Sequence, residues 1–161
     1  MFRYAIFALV GLLSAVTTAK AIVTLDEARR AQPRYERPMA AVARIARADD
    51  GHYWATGEAG GETVRFLVDT GATAVSLTPA DARRFGIDTH GLTYDYEVIT
   101  AHGRARAAAV RLDALSVDGA TIHDVEALVI EKGLETSLLG MSYLGRLSRF
   151  EATPTALVLR P

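Results

Sequence analysis

The chain has 161 residues, with 18 Lys and Arg against 19 Asp and Glu, a net charge of −1, and no cysteine. A near-neutral balance with no block of like charge argues against a nucleic-acid or anionic-membrane partner. The missing cysteines exclude disulfides, a Cys nucleophile and a thiolate metal site.

Arg3 precedes an uncharged, mostly apolar run from Tyr4 to Ala19, and Lys20 follows it. Ala19-Lys20-Ala21 has the small-x-small form of a signal-peptidase site, so residues 1–21 read as a secretory signal. The run is shorter than the roughly 20 residues that span a bilayer, which favours cleavage. A retained anchor through residues 4–19 stays open, with Lys20 snorkelling. Either reading exports the remainder, and the expected location is the periplasm, soluble or tethered to the inner membrane. Residues 22–40 hold Pro33, Pro38 and many charges, and read as a stalk with a short helix beginning at Thr24. The rest of the chain, residues 41–161, suffices for one modest core.

From Ala41 the apolar pattern alternates with period two, and turn signals recur about every ten residues. Strands are predicted around Val42–Arg47, His52–Thr56 and Glu62–Val68, with turns at Asp49-Asp50-Gly51 and Ala59-Gly60-Gly61. Thr78-Pro79-Ala80-Asp81 starts a short helix, with a capping hydroxyl, Pro at the first helical position and an early acid. Gly86 ends it. Tyr94–Thr100 and Ala105–Leu112 form a long hairpin around Ala101-His102-Gly103-Arg104. The buried parity changes at Asp113-Ala114, which predicts a bend or a bulge. Asp118-Gly119 is a two-residue hairpin turn leading into Ala120–Ile130. A short helical turn from Met141 and a strand at Leu157-Val158-Leu159 complete the pattern. Many short strands with one or two short helices predict an all-β barrel or sandwich.

One tetrapeptide stands out. Asp69-Thr70-Gly71-Ala72 lies between the apolar runs Val64–Val68 and Thr73–Leu77. A carboxylate at the end of a buried strand must be hydrogen-bonded, paired or protonated. Thr70 offers a hydroxyl and Gly71 an unshielded amide. A plain turn is the bland alternative, but a surface turn is not usually walled by apolar runs on both sides. The pattern reads as a carboxylate held for chemistry.

These residues, together with three other segments, resemble the retropepsin-like aspartic proteases, in particular the exported single-domain group of bacteria related to retroviral proteases. The segments are Asp50-Gly51-His52-Tyr53, Phe66 to Thr73, Thr100-Ala101-His102-Gly103 and Leu138-Leu139-Gly140-Met141-Ser142-Tyr143-Leu144. The third departs at His102, where the bacterial group more often carries Asn. The resemblance covers about Ala41 to Leu159 and implies a small closed barrel of retropepsin type. It implies that Asp69 is the catalytic aspartate and that the Thr70 hydroxyl bonds across a dimer axis. Gly71 would present its amide to the carboxylate, with Ala72 completing the active-site loop. Ile99, Thr100, Ala101, His102 and Gly103 would form a flap. Leu138, Leu139 and Gly140 would pack beneath the active-site loop.

Stoichiometry follows from the chemistry. Peptide hydrolysis by carboxylates needs two of them sharing a proton, one as base toward water and one as acid toward the carbonyl. The chain holds one Asp-Thr-Gly, since Asp88-Thr89 is followed by His90. A symmetric homodimer supplies the second copy. No cofactor is expected. No metal site is expected either, because His52, His90, His102 and His123 lie on separate segments without ligand spacing. Ser76 and Ser142 lack the Gly-x-Ser-x-Gly setting of a nucleophile. The expected function is therefore an aspartic endopeptidase acting on polypeptides. The alternative is a catalytically silent peptide-binding or assembly module of the same fold.

Overall fold

The computed structural model describes residues 42–101 and 103–161. The expected signal or anchor, the stalk and its helix, and His102 lie outside the described residues.

Ten strands and two short helices follow one another among the described residues. The strands are β1 (Ala43–Ala46), β2 (Trp54–Ala59), β3 (Glu62–Val68), β4 (Val75–Leu77) and β5 (Tyr96–Thr100). They continue as β6 (Gly103–Val117), β7 (Ala120–Ile130), β8 (Ser137–Leu139), β9 (Arg149–Ala152) and β10 (Ala156–Arg160). Helix α1 spans Pro79–Arg84 and α2 spans Met141–Leu144. The predicted helix start holds: Thr78 Oγ1 accepts from Asp81 N–H at 3.1 Å, with Pro79 in the first turn.

The larger sheet runs β2-β3-β8-β4-β7-β6-β5, and β2 also pairs with β6 at Gly57↔Val117 and Glu58↔Ser116. That last pairing closes six strands into a barrel and leaves β5 outside the ring. The fold is thus all-β, a small closed barrel of retropepsin type with two short helices. Phe66, Leu77, Leu115, Val125, Val129, Leu139, Tyr143 and Leu144 fill its interior. Phe66, Leu115, Val125 and Val129 are inward parities of strands that alternate, and Tyr143 and Leu144 come from α2. A second sheet, β1-β10-β9, ties the first described strand to the last, with Ile45 opposite Leu157.

One sequence expectation is refined. At Asp113-Ala114 the buried face changes as predicted, from Leu112 to Leu115. No residue is inserted, because Leu112 faces Val125 and Ala114 faces His123 in one unbroken register. The partner strand turns with it at Asp124, whose φ of 50° lies in the left-handed region. The element is a paired bend, which carries one strand pair from one part of the barrel wall to the next. The three predicted early strands divide between the two sheets. β1 pairs with β10, and only β2 and β3 run into the Asp69 loop.

Candidate active site

β3 delivers Asp69 to the end of a parallel ladder. Leu67 and Val68 pair with Leu138 and Leu139 of β8, and Asp69 N–H donates to Leu139 carbonyl O at 3.2 Å. The chain then turns back, with Ala72 N–H donating to Asp69 carbonyl O at 3.3 Å, and re-enters the sheet as β4. Ser76 pairs antiparallel with Leu138, so β8 sits between the strand before the loop and the strand after it. Leu138-Leu139-Gly140 accordingly lies under the loop that bears Asp69.

Gly140 permits that approach. A Cβ on it would lie 2.2 Å from Ala74 carbonyl O and 2.8 Å from Ala72 carbonyl O, both main-chain atoms. Met141 N–H instead donates to Ala72 carbonyl O at 2.8 Å. The adjacent hydroxyl of Ser142 accepts from Val75 N–H at 2.9 Å and donates to Glu126 carbonyl O at 2.7 Å. Sequence reading placed Ser142 in the resembling Leu138–Leu144 segment and gave it no role beyond rejecting it as a nucleophile, and a two-bond bridge has no local signature.

Asp69 is half-buried, and its Oδ1 accepts from Gly71 N–H at 2.8 Å. Thr70 and Gly71 are exposed at the apex, and Ala72 is half-buried. A carboxylate fixed by a backbone amide and facing an open cleft has one oxygen anchored and the other available to a ligand or a second carboxylate.

The cleft holds about 650 Å³. Asp69, Gly71, Ala72 and Thr73 line one wall, and Val98, Ile99, Thr100 and Ala101 the facing one. Leu67, Leu128, Ile130, Leu134 and Leu138 give it an apolar lining, with Glu97 and Glu135 also on its walls. Sequence reading placed the Asp69 loop, Leu138 and the hairpin tip here. It missed Leu128, Ile130 and the 134–136 segment. Their only local signal is the alternation of β7, which does not say what a face meets. No group of His, Asp and Glu residues suited to a metal ion occurs among the described residues.

The facing hairpin projects beyond the barrel. β6 pairs with β7 only from Ala107 onward, so among the described residues Gly103–Arg106 has β5 as its sole strand partner. Its base is tied by Arg106, whose guanidinium donates to both Glu131 carboxylate oxygens at 2.9 and 2.7 Å. That carboxylate raises the Arg106 pKa further through hydrogen bonding and charge. Higher up, Arg104 pairs with Glu97 across the ribbon. At the tip Thr100 Oγ1 donates to Gly103 carbonyl O at 2.9 Å, and Ile99 is 86 % exposed.

A barrel with a β8 insert under an Asp-Thr-Gly loop, facing a projecting hairpin, defines an aspartic-protease-like architecture. The family model for gag-polyprotein putative aspartyl protease matches residues 55–146. The crystal structure of a retropepsin-like aspartic protease from Rickettsia conorii is similar, with a TM-score of 0.68 and 34 % identity. That likeness covers 74 % of this chain and 89 % of the Rickettsia chain. The chain belongs to the retropepsin-like aspartic protease family. An uncharacterized Sinorhizobium protein is 40 % identical over 112 residues, or 69 % of this chain and 48 % of its own length. An uncharacterized protein of Rickettsia prowazekii strain Madrid E is 35 % identical over 115 residues, or 71 % and 49 %. The chain thus spans about half the length of the curated relatives it matches.

Proposed function

We propose that this chain is an aspartic endopeptidase that works as a homodimer, with one Asp69 from each copy. The observation that carries the reading is the Asp69 carboxylate, held at one oxygen by Gly71 N–H at 2.8 Å and lining a cleft of about 650 Å³. One described chain brings one such carboxylate to the cleft, and a two-fold axis beside the exposed Thr70 and Gly71 brings the second.

In the dimer the two carboxyl groups share one proton, because two adjacent carboxylates do not both ionise cheaply. The ionised one takes a proton from water as the water oxygen attacks the peptide carbonyl carbon. The protonated one gives its proton to the carbonyl oxygen. Proton return to the departing nitrogen breaks the C–N bond and yields an acid and an amine. Residues 97–101 close over an extended polypeptide, pair with its backbone and exclude water. The apolar lining receives its side chains. The uncharged run at residues 4–19 supports export, as a cleaved signal or a tether in the periplasm.

The test is Asp69→Asn. An amide fills the same space but takes no proton from water, and both copies change at once. The purified variant is expected to fold, dimerise and bind peptide while hydrolysing none. Hydrolysis at the wild-type rate refutes the assignment. A wild-type protein that binds unfolded polypeptide without cutting it at any pH supports the silent binding module instead.

A further inference from the structure

Three hydrogen bonds join the Asp69–Val75 segment to the β8–α2 chain. Asp69 N–H meets Leu139 carbonyl O at the entrance, and Met141 N–H meets Ala72 carbonyl O in the middle. Both use main-chain atoms, so they survive any side-chain change that keeps the backbone in place. The third, at the exit, depends on one side chain. Val75 N–H donates to Ser142 Oγ at 2.9 Å. Val75 is fully buried, and the half-buried Ser142 reaches its N–H from the side of α2. The parallel pairing of β4 with β7 begins at Val75↔Ala127, and Val75 N–H lies at its start.

Ser142 is itself oriented. Its hydroxyl proton goes to Glu126 carbonyl O at 2.7 Å. With the proton committed to β7, the lone pairs are left to face Val75. One hydroxyl therefore fixes three elements at a single point: the exit of the Asp69 loop, the first turn of α2 and strand β7, whose Leu128 lines the cleft.

We infer that Ser142 is the positioning residue of the candidate catalytic loop: it sets where Asp69 stands in the cleft and touches no substrate. This rests on the proposed endopeptidase reading for its kinetic consequence, and on geometry alone for its structural one. Without the hydroxyl, Val75 N–H loses the side-chain partner that fixes it, and the loop exit relaxes to find another. A shift of about 1 Å in a reacting group lowers turnover on the order of 100-fold. Substrate grip comes mainly from the hairpin and the apolar walls, so KM changes little.

The experiment compares three variants of the full chain. Ser142→Ala is expected to raise amide hydrogen exchange across residues 69–75 about tenfold or more. It is expected to lower kcat by about 10- to 100-fold with KM within about twofold. Ser142→Thr keeps the oxygen and restores both readouts. Tyr143→Phe is the structural control on the same short helix. Its buried hydroxyl donates to Ala120 carbonyl O at 2.6 Å, at the far hairpin, so its loss lowers stability and leaves kcat and loop exchange alone. Unchanged exchange at residues 69–75 in Ser142→Ala overturns the inference. So does a kcat loss in Tyr143→Phe equal to that in Ser142→Ala. A wild-type chain that cuts no peptide refutes the endopeptidase reading, and the exchange data still decide the role of Ser142.

Discussion

Adding one methyl group at Gly140 tests how far the loop's position depends on the strand beneath it. The Cβ of Gly140→Ala would sit 2.2 Å from Ala74 carbonyl O, 2.6 Å from its carbon and 2.8 Å from Ala72 carbonyl O. Real Cβ atoms stay beyond 3.0 Å, so the two segments must part by close to 1 Å. All three atoms belong to the main chain, so no rotamer change relieves the contact. The separation stretches two short links, Met141 N–H to Ala72 carbonyl O at 2.8 Å and Asp69 N–H to Leu139 carbonyl O at 3.2 Å. Overpacking costs about 1–3 kcal/mol. Each weakened hydrogen bond adds roughly 1 kcal/mol. A loss of about 3–5 kcal/mol is a large part of the roughly 5–15 kcal/mol that a domain has. It lowers Tm on the order of 10–20 °C. Far-ultraviolet circular dichroism during heating reads the stability, and peptide hydrolysis well below the new Tm reads the site. Turnover is expected to fall on the order of 100-fold even where the variant is fully folded, because Asp69 moves with the loop. A Gly140→Ala protein with wild-type Tm and wild-type turnover refutes the packing argument.

Further outcomes are expected. If each site spans two copies, specific activity falls on dilution below the dimer dissociation constant, and excess Asp69→Asn chain poisons the wild type through mixed dimers; activity that is constant while sizing shows monomers rules this out. Gly103 has a φ of 105° with open space around its Cβ position, so Gly103→Val strains only the backbone of the tip and lowers turnover far more than stability. Equal amide protection of residues 99–101 with and without a peptide inhibitor would show that the hairpin does not close. The Asp50 carboxyl is held below the usual carboxylate range, first by the His52 amide and then by the Trp54 indole. A group whose folded pKa is depressed stabilises above the unfolded value and loses that contribution as pH falls through the folded one. Asp50→Asn therefore flattens the acid limb of the stability curve, and acid titrations of both proteins by circular dichroism check it.

Much of the molecule was legible from local chemistry. The Thr78-Pro79 cap, the Asp118-Gly119 hairpin turn and the alternation along β7 each depend on residues within a few positions of one another. Asp69-Thr70-Gly71 stood out for the same reason, because a carboxylate walled by apolar strands is anomalous within a dozen residues. The tertiary structure decided what the strands pair with. Ser137–Leu139 is only three residues long, and nothing local says that it slides between β3 and β4 under Asp69. The closure of β2 on β6, the attachment of β1 to β10 and the meeting of Leu128 with the Asp69 cleft are equally nonlocal. Ser142 is the sharpest case, since its hydroxyl bonds to an amide 67 residues away. A period of two assigns each side chain to a face, but it leaves open which backbone lies alongside. That choice is made by the summed burial and hydrogen bonding of the closed barrel, and no single segment contains it.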